Sequence, residues 1–161
     1  MMYKKTKLYQ DHVNLKGNMV PFSGFLLPTH YTSIKEEHLA VRNSAGLFDV
    51  SHMGEILIDG SESERFINYV STNDVTLVKD GRAQYSLLCN SKGGILDDII
   101  IYRKSSNSFM LVVNAVNKQK ILDWLNFNSY NNGVKITDAS DKLGLLALQG
   151  PNSLSHIKRA L

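Results

Sequence analysis

The residues best suited to chemistry are two adjacent carboxylates, Asp97 and Asp98, in the run Ser91–Tyr102, Ser-Lys-Gly-Gly-Ile-Leu-Asp-Asp-Ile-Ile-Ile-Tyr. A Gly-Gly turn feeds a stretch that is otherwise apolar and strand-like. Aspartate is depleted in strands, and a buried carboxylate is costly unless something pairs with it or uses it. Side chains alternate across a strand. Leu96, Asp98, Ile100 and Tyr102 therefore share one face, and Ile95, Asp97, Ile99 and Ile101 share the other. In a regular strand the two carboxylates cannot act as an acid–base pair. One is expected to serve structure and the other a separate role.

Other candidates follow from the neighbouring segments. Tyr85, in Gln84-Tyr85-Ser86, lies on the strand expected to pair with that of Asp98. It reads as a core aromatic or as a wall for a flat heterocycle. Asn114 ends the apolar run Val112-Val113 and has two readings, a cap for the following helix or a hydrogen-bonding group at the rim of the sheet. His30, His38 and His52 do not have zinc-ligand spacing, and no metal is expected. Gly93-Gly94 lacks the Gly-Lys-Ser/Thr of a phosphate loop and precedes a strand rather than a helix. No Gly-x-Ser-x-Gly elbow is present, and Ser23 and Ser51 have no evident base. Cys89, the single cysteine, reads as a small buried hydrophobe.

These residues need a scaffold. Residues 1–31 read as irregular, punctuated by Gly17, Pro21, Gly24 and Pro28. Thr32–Asn43 reads as a helix, with Ser33 and Glu36 as a capping box and Gly46 as its stop. Strands are expected at Glu55–Asp59, Ala83–Cys89, Ile95–Arg103, Phe109–Asn114, Val134–Thr137 and Leu143–Gln149. Helices are expected at Ser61–Ser71, capped by Ser61 with Glu64, at Asn117–Asn128 and at Asn152–Leu161. The order strand–helix–strand–strand–strand–helix–strand predicts an α+β fold, an antiparallel sheet with helices on one face in a split βαβ, ferredoxin-like subdomain. The expected division is residues 1–54, then the subdomain at 55–139, then a return at 140–161.

Composition narrows the function classes. The chain has 161 residues, 43% of them hydrophobic, and a net charge of +3. That is enough for a core and too little charge to argue for nucleic acid. One cysteine excludes an internal disulfide and fits a reducing compartment. No apolar run approaches the ~20 residues of a membrane span. Residues 1–11 lack the apolar core of a secretory signal. A cytoplasmic location is expected, or the mitochondrial matrix in a eukaryote.

Taken together, the motifs resemble the aminomethyltransferase, or T-protein, family of the glycine cleavage system. The matching segments run nearly the whole length. They are Thr6-Lys7-Leu8-Tyr9 with His12, Met19 to Phe25, Pro28-Thr29-His30-Tyr31, Glu37-His38 with Ala40-Val41-Arg42, and Gly46-Leu47-Phe48-Asp49-Val50-Ser51-His52-Met53. They continue with Thr72-Asn73-Asp74-Val75, Ala83-Gln84-Tyr85-Ser86, Gly93 to Asp98, Val112 to Ala115, and Leu148-Gln149-Gly150-Pro151. Each is weak alone. In this order and spacing they are specific.

The resemblance implies transfer of an aminomethyl group from the lipoyl arm of the H-protein to tetrahydrofolate. Ammonia is released and 5,10-methylenetetrahydrofolate is formed. It implies a folate site in a central hole between domains, with Asp98 beside the pterin as the catalytic carboxylate. Met53, Tyr85, Ile100 and Asn114 fall at or beside positions lining that site. Family members are more than twice as long as this chain, so the second half of the site and the third domain are expected elsewhere, in a separate chain or lost. The competing expectations are a folate-binding relative that supports iron–sulfur proteins, a non-catalytic remnant, and the folate module of a flavin-linked dimethylglycine oxidase. Asp98 argues against the first, because such relatives usually lack that carboxylate. Alone, the chain is expected to bind folate poorly and to expose apolar surface around Leu143–Leu148 and Ile157–Leu161.

Overall fold

The computed structural model describes residues 2–129 and 133–160. In chain order the elements are β1 (Lys4–Lys5), α1 (Tyr9–Asn14), β2 (Met19–Phe22), β3 (Phe25–Pro28), α2 (Ile34–Asn43), β4 (Gly46–Asp49), β5 (Gly54–Asp59) and α3 (Ser63–Val70). There follow β6 (Ala83–Cys89), β7 (Ile95–Ser105), β8 (Ser108–Val113), α4 (Lys118–Asn128), β9 (Lys135–Asp138), β10 (Leu146–Gln149) and α5 (Ser153–Ala160). The chain divides into two compact units, residues 1–52 with 144–161, and residues 53–143.

The unit 53–143 is a five-stranded sheet in the order β6-β7-β8-β5-β9, with every neighbouring pair antiparallel. Both of its helices pack on one face. Phe66, Ile67 and Val70 of α3 and Ile121, Leu122 and Leu125 of α4 join one buried cluster with Ile56, Ile58, Leu88, Ile99, Ile101, Phe109, Leu111 and Val113. Those strand residues have the same parity on each strand, as alternation requires. The expected antiparallel sheet with helices on one face is thus present.

The unit formed by 1–52 and 144–161 is built differently. Residues 1–31 carry short elements where the sequence suggested none. β2 and β3 form a hairpin whose two-residue turn, Ser23-Gly24, takes φ of 47° and 83°. Two positive φ values match the right-handed twist of the flanking strands. Pro21 and Pro28 disguise those strands, since proline marks edges and ends of sheets. β1 adds in parallel to β3. β4 pairs antiparallel with β10, Leu47 opposite Leu148 and Phe48 opposite Ala147. β4, absent from the strands expected above, therefore has a partner about a hundred residues away.

Two helix boundaries also differ from expectation. Ser33 does cap α2, accepting from the Glu36 amide at 3.2 Å. Gly46 does not end that helix: Ser44 is its C-cap and Gly46 opens β4. Ser61 does not cap α3, which starts at Ser63. There the Ser63 hydroxyl donates to the Asn107 carbonyl at 3.4 Å, and Glu64 is drawn away to pair with Arg103. The helix expected at the end of the chain spans Ser153–Ala160, and Leu161 lies outside the described residues. Cys89 is half-buried rather than buried. No helix among the described residues is long and apolar enough to cross a membrane.

Candidate functional site

The Asp97-Asp98 pair sits in the middle strand of a hairpin ladder, and the sheet separates its members as alternation predicts. Asp97 is 3% exposed, on the helix-covered face with Ile99 and Ile101. Asp98 is exposed on the opposite face. The register brings the other candidates to that same face. Tyr85 lies opposite Ile100, Ile100 opposite Val112, and Val112 opposite Glu55, forming one row across four strands. Asp98 lies one step along, opposite Leu87. Asn114 follows the last residue of β8, and Met53 immediately precedes β5, whose first residue, Gly54, pairs with Val113.

Hydrogen bonds fix the Asp98 carboxylate from two sides. The Tyr85 hydroxyl donates to its Oδ2 at 3.1 Å, and the Asn114 amide Nδ2 donates to its Oδ1 at 2.9 Å. Burial, and then the Asp98 carboxylate beside it, push the Tyr85 phenol above its ordinary range, so Tyr85 stays a donor. Tyr85 and Ile100 are 59% and 38% exposed, an open aromatic–aliphatic strip bordered by a carboxylate. A flat heterocycle would cover such a strip, and the carboxylate would face any positive charge that develops on it.

Asp97 is held by the end of β8 and the turn after it. Its Oδ2 accepts the Asn114 backbone amide at 2.9 Å, and its Oδ1 accepts Asn114 Nδ2 at 3.0 Å and Asn117 Nδ2 at 2.5 Å. The Gly93-Gly94 turn that precedes the strand has a different anchor. That turn is held instead by Asn90, whose Oδ1 accepts the amides of Lys92 and Gly94 at 2.9 Å each. Asn114 does not cap the following helix with its side chain. It bridges the two aspartates and couples the buried one to the open one.

Glu55 escaped the sequence reading. It lies on the Tyr85–Ile100 row yet is 1% exposed, and neither carboxyl oxygen has a hydrogen-bond partner. Burial, reinforced by Asp138, pushes its pKa up to about 7. In Glu-Ile-Leu-Ile-Asp a terminal glutamate looks like a solvent-facing end, and only the sheet order reveals it as an inner position. Asn117 was also missed, although a second asparagine three residues after Asn114 was a visible signal.

A second polar cluster lies in the other unit. His12, 6% exposed, bonds the Tyr31 hydroxyl through Nδ1 at 2.7 Å and Asp49 Oδ2 through Nε2 at 2.9 Å. Burial alone would raise the Asp49 pKa. The hydrogen bonds it accepts from Ser51 and His12 outweigh burial and hold it low. The cluster ties α1, the segment before α2 and the end of β4 to one another. His52 packs edge-on against Phe22 at 5.5 Å. Among the described residues no group of three or more His, Cys, Asp or Glu side chains is arranged to hold a metal.

Comparison with known proteins gives a concordant result. A family model described as the GCVT N-terminal domain matches residues 8–161. The aminomethyltransferase of Staphylococcus epidermidis is 49% identical over 154 residues, 96% of this chain and 42% of that protein. That of Thermus thermophilus is 50% identical over 155 residues, 96% of this chain and 44% of that protein. The crystal structure of the glycine cleavage system aminomethyltransferase T from Bartonella henselae superposes with a TM-score of 0.88 at 34% identity, covering 99% of this chain and 44% of that one. The chain thus spans less than half the length of the relatives it matches. Over that span, its sequence and its backbone place it in the aminomethyltransferase family of the glycine cleavage system, to which this chain belongs.

Proposed function

We propose that this chain supplies the first half of a tetrahydrofolate-dependent aminomethyltransferase. The substrate would be an aminomethyl group carried as a thioether on the lipoyl arm of an H-protein. The acceptor would be tetrahydrofolate, and ammonia would leave. The observation that carries the reading is the Asp98 carboxylate, fixed by Tyr85 and Asn114 on the open face of the sheet beside Ile100.

The chemistry suits these residues. Loss of ammonia from a sulfur-bound aminomethyl group leaves positive charge on the carbon. A carboxylate already held in place stabilises that charge without reorganising. Two donors orient it, so little freedom is left to lose when substrate arrives. The strip of Tyr85 and Ile100 would offer an apolar surface to the pterin ring, with Met53, just before β5, as a further lining residue, and Asn114 keeps the charged edge in register. Asp98 need not form a covalent bond. It attracts the developing cation and can pass protons at the pterin amine.

The reading is tested on this chain combined with the remaining half of a family member. Ammonia release from aminomethyl-lipoyl H-protein should depend on tetrahydrofolate, and this chain alone should bind folate poorly. Sub-micromolar folate binding by monomeric residues 1–161 would overturn the second expectation. Ammonia release that ignores folate in the combined protein would overturn the reading itself.

A further inference from the structure

Tyr85 orients the Asp98 carboxylate from the least supported strand of its sheet. β6 is the outermost strand, paired with β7 on one side. Tyr85 is more than half exposed, so packing does little to hold its ring. Where its hydroxyl arrives therefore depends on where the backbone of β6 is held. An outer strand shows a row of N–H and C=O groups along its free rim. Alternate residues direct those groups outward, and on β6 they include Tyr85 and Leu87.

Segment 71–75, which leads from α3 into the short 3-10 turn Val75–Leu77, lies along that rim. The Thr72 amide donates to the Leu87 carbonyl at 3.1 Å, and the Leu87 amide donates to the Thr72 hydroxyl at 3.2 Å. Beyond Thr72, side chains take the place of a ladder. Asn73 Nδ2 donates to the Tyr85 carbonyl at 2.6 Å. The Asn73 amide donates at 3.2 Å to the hydroxyl of Ser86, which is buried. Gln84 Nε2 donates to the Asp74 carbonyl at 3.0 Å. The segment is itself fixed to the core. The Val75 amide donates to Asn68 Oδ1 on α3 at 3.0 Å, and the Val75 side chain is fully buried. An anchored segment thus grips the backbone of the residue that orients Asp98, on the side where the sheet ends.

We propose that Asn73 is a positioning residue of the site: its side-chain amide, through the Tyr85 carbonyl, sets the place on β6 from which the Tyr85 hydroxyl reaches Asp98. This rests on the reading of Asp98 as the working carboxylate and adds a residue that acts on it through Tyr85. The amide bonds a backbone group, so its effect is on where the strand lies. The backbone bonds of Thr72 and Asn73 to β6 do not need that amide. Its removal should therefore loosen Tyr85 and leave the segment in place. Placement matters because a carboxylate fixed in advance pays no reorganisation when charge develops.

Asn73→Ala and Asn73→Leu both remove the Nδ2 donor and keep the backbone amide that bonds Ser86; leucine also keeps the approximate shape. The first measurement needs neither folate nor a second polypeptide. It follows the ring-carbon NMR signal of Tyr85 in the whole chain labelled with carbon-13 tyrosine, identified by its loss in Tyr85→Phe. In the parent, desolvation and then the Asp98 carboxylate hold the phenol above its ordinary range. Both Asn73 variants should move its titration midpoint back toward that range. Thr76→Ala breaks the 2.6 Å bond from the Thr76 hydroxyl to Asp74, in the same stretch of chain, and should leave the Tyr85 titration in place. The second measurement is turnover in the completed enzyme. Asn73→Ala should lower kcat about tenfold, short of the roughly 10²-fold that a 1 Å misplacement costs. Tyr85→Phe and the double variant Asn73→Ala/Tyr85→Phe should be equally slow, since no hydroxyl is left to position. A Tyr85 titration unmoved in both Asn73 variants overturns the proposal, and so does a double variant whose two losses multiply. A titration that shifts equally in Thr76→Ala also overturns it, because Asn73 then acts only on general stability. If the completed enzyme transfers nothing in any form, the functional reading fails, and the Tyr85 titration alone decides whether Asn73 places Tyr85.

Discussion

Asp97 and Asp98 differ by one position and by everything around them. Asp98→Asn keeps the volume and removes the charge, so turnover in the completed enzyme should fall on the order of 10²–10³-fold, typical of one lost electrostatic group. Its thermal midpoint should hold, because the residue is exposed. Asp97→Asn should do the reverse, since Asp97 accepts one backbone and two side-chain N–H groups while 3% exposed. The expected cost is roughly 1–3 kcal/mol of stability. Measuring both quantities on both variants decides it; an Asp97→Asn that is dead at an unchanged midpoint beside an active Asp98→Asn reverses the assignment. Glu55 gives a prediction in pH. Its folded pKa is raised from 4.5 to about 7, so the folded state holds its proton longer than the unfolded chain does. The stability this contributes is fully present below 4.5 and is lost as pH rises through about 7. Glu55→Gln cannot lose a proton. It should match the parent near pH 4 and exceed it near pH 8 by on the order of 1–3 kcal/mol. Thermal midpoints of the two proteins that stay parallel across that range would count against it. Alternation made the opposed aspartates legible in the sequence. Glu55 was illegible because its burial depends on which strand lies beside β5, a long-range fact that no local pattern carries.

At the scale of elements, the sheet is governed by which face each helix covers. α4 makes the point within one helix. Leu125 is fully buried in the shared core, whereas Phe127, two residues on, is 82% exposed. Leu125→Ala should destabilise the unit by about 2–5 kcal/mol through lost burial and the cavity left behind. Phe127→Ala should stay within about 0.5 kcal/mol. Chemical denaturation of both variants checks this, and equal losses would mean α4 is docked on a different face. Strands β5 to β8 and helices α3 and α4 were legible because each repeats an apolar residue at the period of its own geometry. The sequence was weaker where partners are short or distant. β2 and β3 are four residues each and carry prolines, and β4 has no local reason to be a strand until β10 arrives. The cap of α3 failed for a related reason, because Arg103 on β7 competes for the glutamate that a capping box would need.

At the scale of the whole chain, one unit interrupts the other. Residues 53–143 are an insertion between β4 and β10, which must pair across it. An unstructured insertion of that length would raise the entropic cost of closing the loop, though only slowly with length. A folded insertion lowers it, and this one brings its own ends together: the Ala139 amide donates to the Glu55 carbonyl at 2.9 Å, so entry and exit strands run side by side. Among the described residues the inserted unit holds nearly all the buried apolar side chains, while the interrupted unit holds Leu27 alone. The order of stability should follow. Excised residues 53–143 should unfold in one cooperative transition, with a midpoint close to that of the same residues in the whole chain. Native-state hydrogen exchange on residues 1–161 should find amides of β7 and β8 protected to the limit of global unfolding. Amides of β4, β10 and α5 should open with several kcal/mol less, the range expected of a sub-globally unfolding region. Adding the complementary half of a relative should raise protection in β4, β10 and α5 and leave β7 and β8 unchanged. If β4 is already as well protected as β7 in the isolated chain, the interrupted unit is stable by some means other than apolar burial, and this order of stability is wrong.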